Sequence, residues 1–464
     1  MRRFALIIFF AALAFAAIGP IRNYDFFWHL ATGRWIVEHG ALPAADPFAV
    51  ASDRVPWING EWLFELALQP VSGIENFSFV RAVFIALLFL LAYRFSEGER
   101  DGALLLTALA FAGGMATLDL RPSSVAALFV VLAIAIARRG NDWLYALLTV
   151  VWINTHPSAL LAPLIAILIT RRAFMPFVAA IALLINPYSY HGVLAPLRLM
   201  TFVSGGTFVN AEWLPSLPVT FPLLYVTIAI WTAAALAAAF RRRGTAAASQ
   251  SGGLAAAVHI ALGVVLAYLA VRHVRNQPLW FAAFPLLVAP AFPRVHRGLA
   301  YAACAALIAA VAIREDHRLG IAPERFPVSA VARLKAANLE GNIYNPDQFG
   351  GFLIWSFYPE RRALTDGRNE LYHSYIPEYA RARKDSRAWT ALLRKYRIDL
   401  AVDEHRAPLD VIDARTGGSR QMDASLAYWP RKDWALIAHD EAAMVFARRA
   451  AFPRDVIAKW ELRD

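Results

Sequence analysis

Asp25 and His29 lie four residues apart in the segment YDFFWHLATGRW, and both side-chain types can move protons. Residues at this spacing project from the same face of an α-helix. A carboxylate beside an imidazole can take a proton from a hydroxyl group, and the imidazole can also hydrogen-bond a phosphate. The alternative is an ordinary surface helix, with Asp25 capping its N-terminus and His29 facing water. The spacing favours Asp25 and His29 as catalytic candidates.

A second acidic segment, WINGEWLFE, carries Glu61 and Glu65 among tryptophans. An apolar setting of this kind can raise the pKa of a carboxyl group. Glu61 is therefore a candidate for substrate contact, whereas capping or snorkelling to the membrane surface is favoured for Glu65. Asp46 precedes Pro47 and is predicted to fix a turn. Arg34 and Glu38, one helical turn apart, are predicted to form a surface pair.

Further polar residues are concentrated in short turns between apolar segments, in the motifs LDLRPSS, WINTHPS, INPYSYHG, NAEWLPS and VRHVRNQP. Several guanidinium groups in one pocket are suited to a phosphate ligand. The candidates for substrate or phosphate binding in these turns are Arg121, His156, Glu212, Arg272, His273 and Arg275. The alternatives are that an arginine pairs with Asp119 or Glu212, and that His156 caps a helix end.

Motifs for metals and nucleotides are missing from the sequence. It contains no Cys/His cluster, Walker loop, GxGxxG before a helix or GxSxG elbow. Asp25, Asp46 and Glu61 could form an oxygen site for a divalent metal only if folding gathers them. No cofactor is therefore predicted, and metal use has no motif behind it. The TDGR turn (366–368) is read as an Asp–Arg pair in preference to a ligand contact.

The surrounding elements are those of a membrane protein. Of 464 residues, 58% are hydrophobic and 17% charged, and the mean hydropathy is +0.44, well above that of a soluble domain. About eleven segments approach the length needed to span a bilayer. They are predicted near 4–20, 79–95, 102–118, 121–137, 142–154, 157–170, 174–186, 220–240, 255–271, 277–291 and 298–313.

Basic residues orient these segments. With the N-terminus inside, four of the five inner loops are rich in arginine, as the positive-inside rule requires. The arginines that determine the topology are Arg138, Arg139, Arg171, Arg172 and Arg241 to Arg243. These arginines contribute to the net charge of +11, so nucleic-acid binding is not predicted. The first segment also resembles a secretory signal, but its retention as a span is favoured.

The sequence divides into a membrane domain and a soluble one. The membrane domain covers 1–313 and includes an outer loop, 21–78, with two interfacial helices; an inner low-complexity linker lies at 244–253. Residues 314–464 form a predicted outer α/β domain. Strands are predicted from NIYNPDQFGGFLIWSFYP, RRALTDGR, RIDLAVDEH and WALIAHDEAAMVFARR, and helices from SAVARLKAANL and SRAWTALLRKY.

The order of one span, an outer loop of two interfacial helices and an early aspartate resembles the GT-C superfamily of integral-membrane glycosyltransferases. Its members include aminoarabinose transferases, protein O-mannosyltransferases and oligosaccharyltransferases. Most of the chain also resembles a group of bacterial multispanning proteins of unassigned activity. That group shares DFFWHLATGRWIVEHG, DPF, WINTHP, INPYSYHG, GGFLIW and TDGR. This chain has Asp-Phe where mannosyltransferase-like members have Asp-Glu, and it lacks the DxD of metal-dependent members.

The resemblance implies transfer of a sugar from a polyprenyl-phosphate carrier to a glycan, lipid or protein acceptor outside the bacterial inner membrane. It places the catalytic carboxylate on Asp25, with His29 orienting the acceptor and arginines holding the phosphate. A lipid or glycan transporter or flippase is one alternative, although mid-span positions carry few charges. A non-catalytic envelope assembly protein is the other.

Overall fold

A computed structural model describes residues 2–170, 172–204, 211–243, 250–412 and 419–462. Arg171 and most of the predicted 244–253 linker lie outside these ranges, as do the side chains of Arg241 to Arg243. The described chain divides into two compact units. The first contains residues 1–21, 58–201 and 209–320, and the second combines 22–57 with 321–464.

The first unit is helical. Each of the eleven predicted apolar segments contains a helix, and two further helices, Trp62–Leu68 and Tyr190–Ser204, lie outside those segments. The helices are α1 (Arg2–Ala16), α3 (Trp62–Leu68), α4 (Asn76–Phe95), α5 (Arg100–Gly114), α6 (Pro122–Arg139), α7 (Asp142–Ile153), α8 (Leu161–Ile169), α9 (Phe174–Ala182), α10 (Tyr190–Ser204), α11 (Pro222–Arg243), α12 (Gln250–Arg272), α13 (Gln277–Val288) and α14 (Arg297–Arg314).

Four of these helices are long and apolar enough to cross a membrane within the described residues: α4, α6, α14 and the part of α11 at Pro222–Phe240. Other apolar helices are shorter, among them α7 and the end of α12. With the composition, they identify a membrane protein. The number of crossings remains a prediction.

Helix α13 is the centre of the first unit. All twelve of its residues are buried, and it packs against α4, α5, α6, α11 and α12. A helix that is apolar on every side is stable only inside a bundle or a bilayer, which explains its position. Two of its side chains make buried hydrogen bonds: Trp280 Nε1 donates to Thr227 Oγ1 at 2.9 Å, and Gln277 Nε2 donates to Ser216 Oγ at 2.8 Å.

The second unit is an α/β domain. Its sheet has the order β1-β2-β6-β5, in which β1 and β2 are parallel and the other pairs antiparallel. The strands are β1 (Asn342–Tyr344), β2 (Ile398–Glu404), β5 (Trp434–His439) and β6 (Ala443–Arg448), and a separate hairpin contains β3 (Leu409–Ile412) and β4 (Ser419–Met422). The helices are α2 (Phe26–His39), α15 (Val328–Ala337), α16 (Asp347–Phe357), α17 (Tyr375–Ala382), α18 (Ser386–Lys395), α19 (Ala424–Tyr428) and α20 (Arg454–Trp460).

Residues 22–57 are an integral part of this second unit. Helix α2 packs on α16, where the Phe27 ring meets Phe352 with centroids 5.1 Å apart. The chain after Pro47 runs beside the stretch that leads to TDGR: Val50 N donates to Ala363 O at 2.9 Å, and Ala51 N donates to Leu364 O at 3.0 Å. The segment that follows the first span is thereby tied to a stretch more than 300 residues later.

Two strand predictions were wrong. GGFLIWSF lies in helix α16, and RRALTDGR forms a single bridge, Ala49 with Ala363, in an otherwise irregular stretch. The glycines misled the prediction, because they serve close packing here. A Cβ on Gly350 would lie 2.0 Å from Thr365 O, so only glycine lets α16 approach the TDGR turn. The helices α15 and α18 and the strands β2, β5 and β6 were predicted correctly.

Candidate functional site

Arg368 is a buried arginine of the second unit. We call the group formed by Asp25, Trp28, Asp46, Asp366 and Arg368 the Arg368 cluster. The Arg368 side chain is 1% exposed. Its Nη1 lies 3.0 Å from Asp46 Oδ1, and its Nε donates to Asp366 Oδ1 at 2.8 Å. The predicted Asp–Arg pair of the TDGR turn is confirmed, with a second carboxylate added.

Aromatic rings enclose the remaining faces of Arg368. Its guanidinium carbon lies 4.5 Å from the Trp57 ring centroid, 5.5 Å from that of Trp28 and 5.4 Å from that of Phe48. Burial lowers the pKa of Arg368, but the carboxylates of Asp366 and Asp46 more than offset this, so the pKa is raised well above its usual value. Arg368 is therefore a permanent cation at the centre of the cluster.

Asp46 fixes its turn as predicted, since it accepts hydrogen bonds from Phe48 N at 3.1 Å and Ala49 N at 3.3 Å. It also accepts one from the Ser52 hydroxyl. These donors and Arg368 occupy its carboxylate, which does not fit the predicted oxygen site for a metal. No group of three His, Cys, Asp or Glu side chains in the described residues is arranged to hold a metal ion.

Asp25 lies at the half-buried edge of the Arg368 cluster. It occupies the N-cap position of α2, but its side chain makes no capping hydrogen bond, and its Oδ1 instead accepts from Trp28 Nε1 at 3.1 Å. A Cβ on Gly367 would lie 2.4 Å from the same oxygen, so glycine is required there. Burial raises the pKa of nearby Glu370, and the charges of Asp366 and Asp25 add to that rise.

His29 does not face water, contrary to the alternative considered from sequence. It is 2% exposed, and its ring lies against that of Trp28 with centroids 3.6 Å apart. The His29 ring therefore lies against Trp28 on the buried side of α2. Sequence spacing placed Asp25 and His29 on one face, and Trp28, which lies between them in the sequence, donates a hydrogen bond to the Asp25 carboxylate.

The polar turns of the first unit form a second group, the His156 cluster, which consists of Glu61, Arg121, His156, Glu212 and Arg275. His156 starts a short 3-10 turn, and its Nδ1 accepts from Ser158 N at 3.1 Å, which confirms the predicted cap. A backbone N–H can only donate, so the neutral ring must carry its proton on Nε2.

His156 Nε2 is buried and has no hydrogen-bond partner in the part of the chain that the structure describes, and Glu61 Oε1 is 3.9 Å away. Burial lowers the pKa of His156 well below its usual value, and the positive charges of Arg275 and Arg121 lower it further. The imidazole is therefore neutral at physiological pH. A buried donor without a partner is costly, which suggests that a ligand atom supplies the acceptor.

The arginines differ in what they contact. Arg121 forms an ion pair with Glu212, as the alternative from sequence proposed. Arg275 lies over the Trp213 ring, 4.7 Å from its centroid, and no carboxylate within the described residues is at ion-pair distance from it. His273 Nδ1 lies 2.7 Å from Trp213 O and supports that ring. Arg272 is exposed at the end of α12.

Several contacts near the His156 cluster had no signal in the sequence. Trp62 Nε1 donates to Asn154 Oδ1 at 2.9 Å, and buried Glu65 accepts from Asn59 Nδ2 at 2.6 Å. Arg81, inside α4, lies 3.3 Å from Asp119. A small cleft beside the cluster is lined by residues 59–60, Trp62, 153–154, Pro157, 186–188 and Gly192. Asn154 is thus a structural residue that holds the turns on which Glu61 and His156 lie.

Comparison with solved structures shows that the chain has a fold similar to that of an archaeal oligosaccharyltransferase. The archaeal oligosaccharyltransferase AglB from Archaeoglobus fulgidus, in complex with an inhibitory peptide and a dolichol-phosphate, matches with a TM-score of 0.59. The match has 9% identity and covers 91% of this chain and 74% of that one. The apo form of the oligosaccharyltransferase from the same organism matches with a TM-score of 0.56 and 9% identity, over 92% and 74% of the two chains. Neither protein-family models nor curated protein sequences match this chain.

Proposed function

We propose that the protein is a membrane glycosyltransferase that transfers a sugar from a polyprenyl-phosphate carrier to an acceptor hydroxyl. The observation that carries the proposal is the His156 cluster, in which a buried N–H donor without a partner among the described residues lies near two guanidinium groups. Such a set of donors fits phosphate oxygens. The GT-C-like fold and the dolichol-phosphate bound to the archaeal relative support this ligand class.

The proposed reaction is a direct displacement at the anomeric carbon. The acceptor oxygen forms a bond to that carbon, the bond from the carbon to the phosphate oxygen breaks, and its electron pair leaves with the phosphate. Asp25 takes the proton of the acceptor hydroxyl. Arg275, Arg121 and His156 stabilise the charge that develops on the departing phosphate.

We propose that His29 helps to orient the acceptor by holding the Trp28 indole, because its buried ring lies against that indole. Glu61, 3.9 Å from His156 Nε2, is proposed to hold that ring in place until phosphate binds. Arg272 and His273 are proposed to be peripheral, because one is exposed and the other holds the Trp213 backbone.

The proposed location follows from the basic loops. The N-terminus would be cytoplasmic, and residues 314–464 would face the periplasm of a bacterial inner membrane. Arg138 and Arg139, at the end of α6, are on the side assigned to the cytoplasm. A glycan, a lipid or a protein would then be modified outside the cytoplasm.

The test replaces Asp25 by Asn in a strain that lacks the chromosomal gene. Glu38→Gln, an exposed substitution on the same helix α2, is the matched control. Mass spectrometry of lipid-linked and surface glycans should show that the control restores the product and Asp25→Asn does not. Full restoration by Asp25→Asn would exclude Asp25 as the base. If strains with and without the gene have the same glycans, the proposed activity is wrong.

A further inference from the structure

The Arg368 cluster has a feature that the proposed reaction does not use directly. Its central cation is buried and fully surrounded by carboxylates and rings, so no substrate can reach it. It nevertheless lies beside the one carboxylate proposed to act as the base. Two residues of the TDGR turn lie at the N-terminus of α2. Gly367 lies against Asp25, and Arg368 lies against the ring of Trp28.

We propose that Arg368 is a positioning residue that fixes the carboxylate of Asp25 through the indole of Trp28. This inference rests on the proposed function, in which Asp25 takes the acceptor proton. Arg368 is held by Asp46 and Asp366 and presents its guanidinium to the Trp28 ring at 5.5 Å. The indole N–H in turn donates to Asp25 Oδ1 at 3.1 Å.

Further hydrogen bonds fix the groups that hold Arg368. Arg368 N donates to Asp366 Oδ1 at 2.9 Å, and Tyr372 OH donates to Asp366 Oδ2 at 2.7 Å. Asn345 holds the irregular stretch that leads into the turn, since it accepts from Leu364 N at 2.9 Å and donates to Thr365 O at 2.8 Å. A side chain fixed by such supporting hydrogen bonds holds its contact groups in one geometry.

Gly367 limits the position of the Asp25 carboxylate from another side. A Cβ there would lie 2.4 Å from Asp25 Oδ1 and 3.9 Å from Trp28 Nε1, so any larger residue would push the carboxylate away from the indole. The indole of Trp28 thus donates to the carboxylate of Asp25, and the backbone at Gly367 limits the space beside it. This arrangement explains why the segment around Asp25 folds with the distant TDGR turn and not by itself.

A hydrogen bond to an ionised carboxylate favours that form, so the indole N–H should lower the pKa of Asp25. Charged or titratable groups that face this region include Arg368, Asp366, Glu370 and, on the same helix, His29. Replacing Trp28 by Phe removes the N–H and keeps a ring against Arg368. Trp57→Phe is the matched control, because Trp57 also stacks on Arg368 at 4.5 Å and is outside the contact with Asp25.

The experiment measures carbodiimide labelling of Asp25 against pH in the full-length protein in lipid nanodiscs, mapped by mass spectrometry. Carbodiimides react with the protonated carboxyl group, so the midpoint reports the pKa of Asp25. Trp28→Phe should move the midpoint up by about one pH unit, the value of one charge-assisted hydrogen bond. Trp57→Phe should leave it unchanged.

A second measurement connects the arrangement to turnover. A lipid extract from the gene-deletion strain serves as donor source, and product is measured by mass spectrometry. Trp28→Phe and Gly367→Ala should each lower the rate at least about tenfold, as the loss of an aligned base would. Unshifted labelling in Trp28→Phe, or equal shifts in both Trp variants, would overturn the positioning role. Full activity in Asp25→Asn would instead overturn the proposed function.

Discussion

The Arg368 cluster and the His156 cluster are both built from arginines, carboxylates and tryptophans, but their charges are satisfied differently. Arg368 is buried between two carboxylates and three rings, and its donors are directed at protein atoms. Around His156, a buried N–H has no acceptor among the described residues, and Arg275 has a ring as its partner. The charge of Arg368 is balanced by carboxylates of the protein, whereas we propose that an anion balances the charge near His156. The residue types alone would not separate these roles.

The largest difference should appear in stability. Arg368→Met leaves Asp46 and Asp366 buried without their cation, which should destabilise the second unit by about 3–5 kcal/mol. Arg383→Met is the control, because Arg383 is half-buried in the same unit and bonds tyrosine hydroxyls, with Tyr428 OH 2.9 Å from its Nε. Denaturant unfolding followed by tryptophan fluorescence should show a much larger loss for Arg368→Met. Equal losses would mean that burial of the pair is not what matters.

Ligand binding should be more sensitive to substitutions in the His156 cluster than to substitutions in the Arg368 cluster. Arg275→Leu should weaken binding of farnesyl phosphate about tenfold to a hundredfold, the value of a charged hydrogen bond. Arg272→Leu, three residues away and exposed, should have little effect. Native mass spectrometry of the protein in nanodiscs provides the measurement, with farnesol as the control ligand without phosphate. Equal weakening by both substitutions would contradict the assignment of Arg275 to the site.

The smallest effect concerns pH. The pKa of His156 is lowered by burial and by Arg275 and Arg121, with Glu61 also facing the ring. Below the ordinary histidine value of 6.5 the unfolded chain binds a proton that the folded protein does not, so stability is complete above that pH and decreases below it.

The apparent unfolding temperature should therefore fall more between pH 7.5 and 5.5 in the wild type than in His156→Gln. A glutamine supplies a donor but does not titrate in this range. His39→Gln is the control, because His39 is exposed at the end of α2. An identical pH response in the wild type and His156→Gln would show that His156 is not buried as a neutral ring.

The sequence by itself determined the class of protein and the position of its helices, because hydrophobicity and helix length are local properties. The apolar segments all contain helices, and Asp46 and His156 make the turn and cap that their neighbours predict. The order of span, loop and early aspartate also predicted a fold like that of the oligosaccharyltransferases, and the chain is similar in fold to solved structures of one of them. In the second unit, helices with a clear 3.6-residue period, such as α18, were predicted correctly.

Only the tertiary structure decided which polar residues meet. Asp25 and Gly367 are more than 300 residues apart, and Arg121 reaches Glu212 from another helix. Such pairs depend on long-range packing, which leaves no periodic trace in a single sequence. The two glycines of GGFLIW were likewise read as strand punctuation, because the sequence does not show what approaches them. Hydrophobic pattern places elements one at a time, but a site is formed by contacts between elements, and these the fold alone supplies.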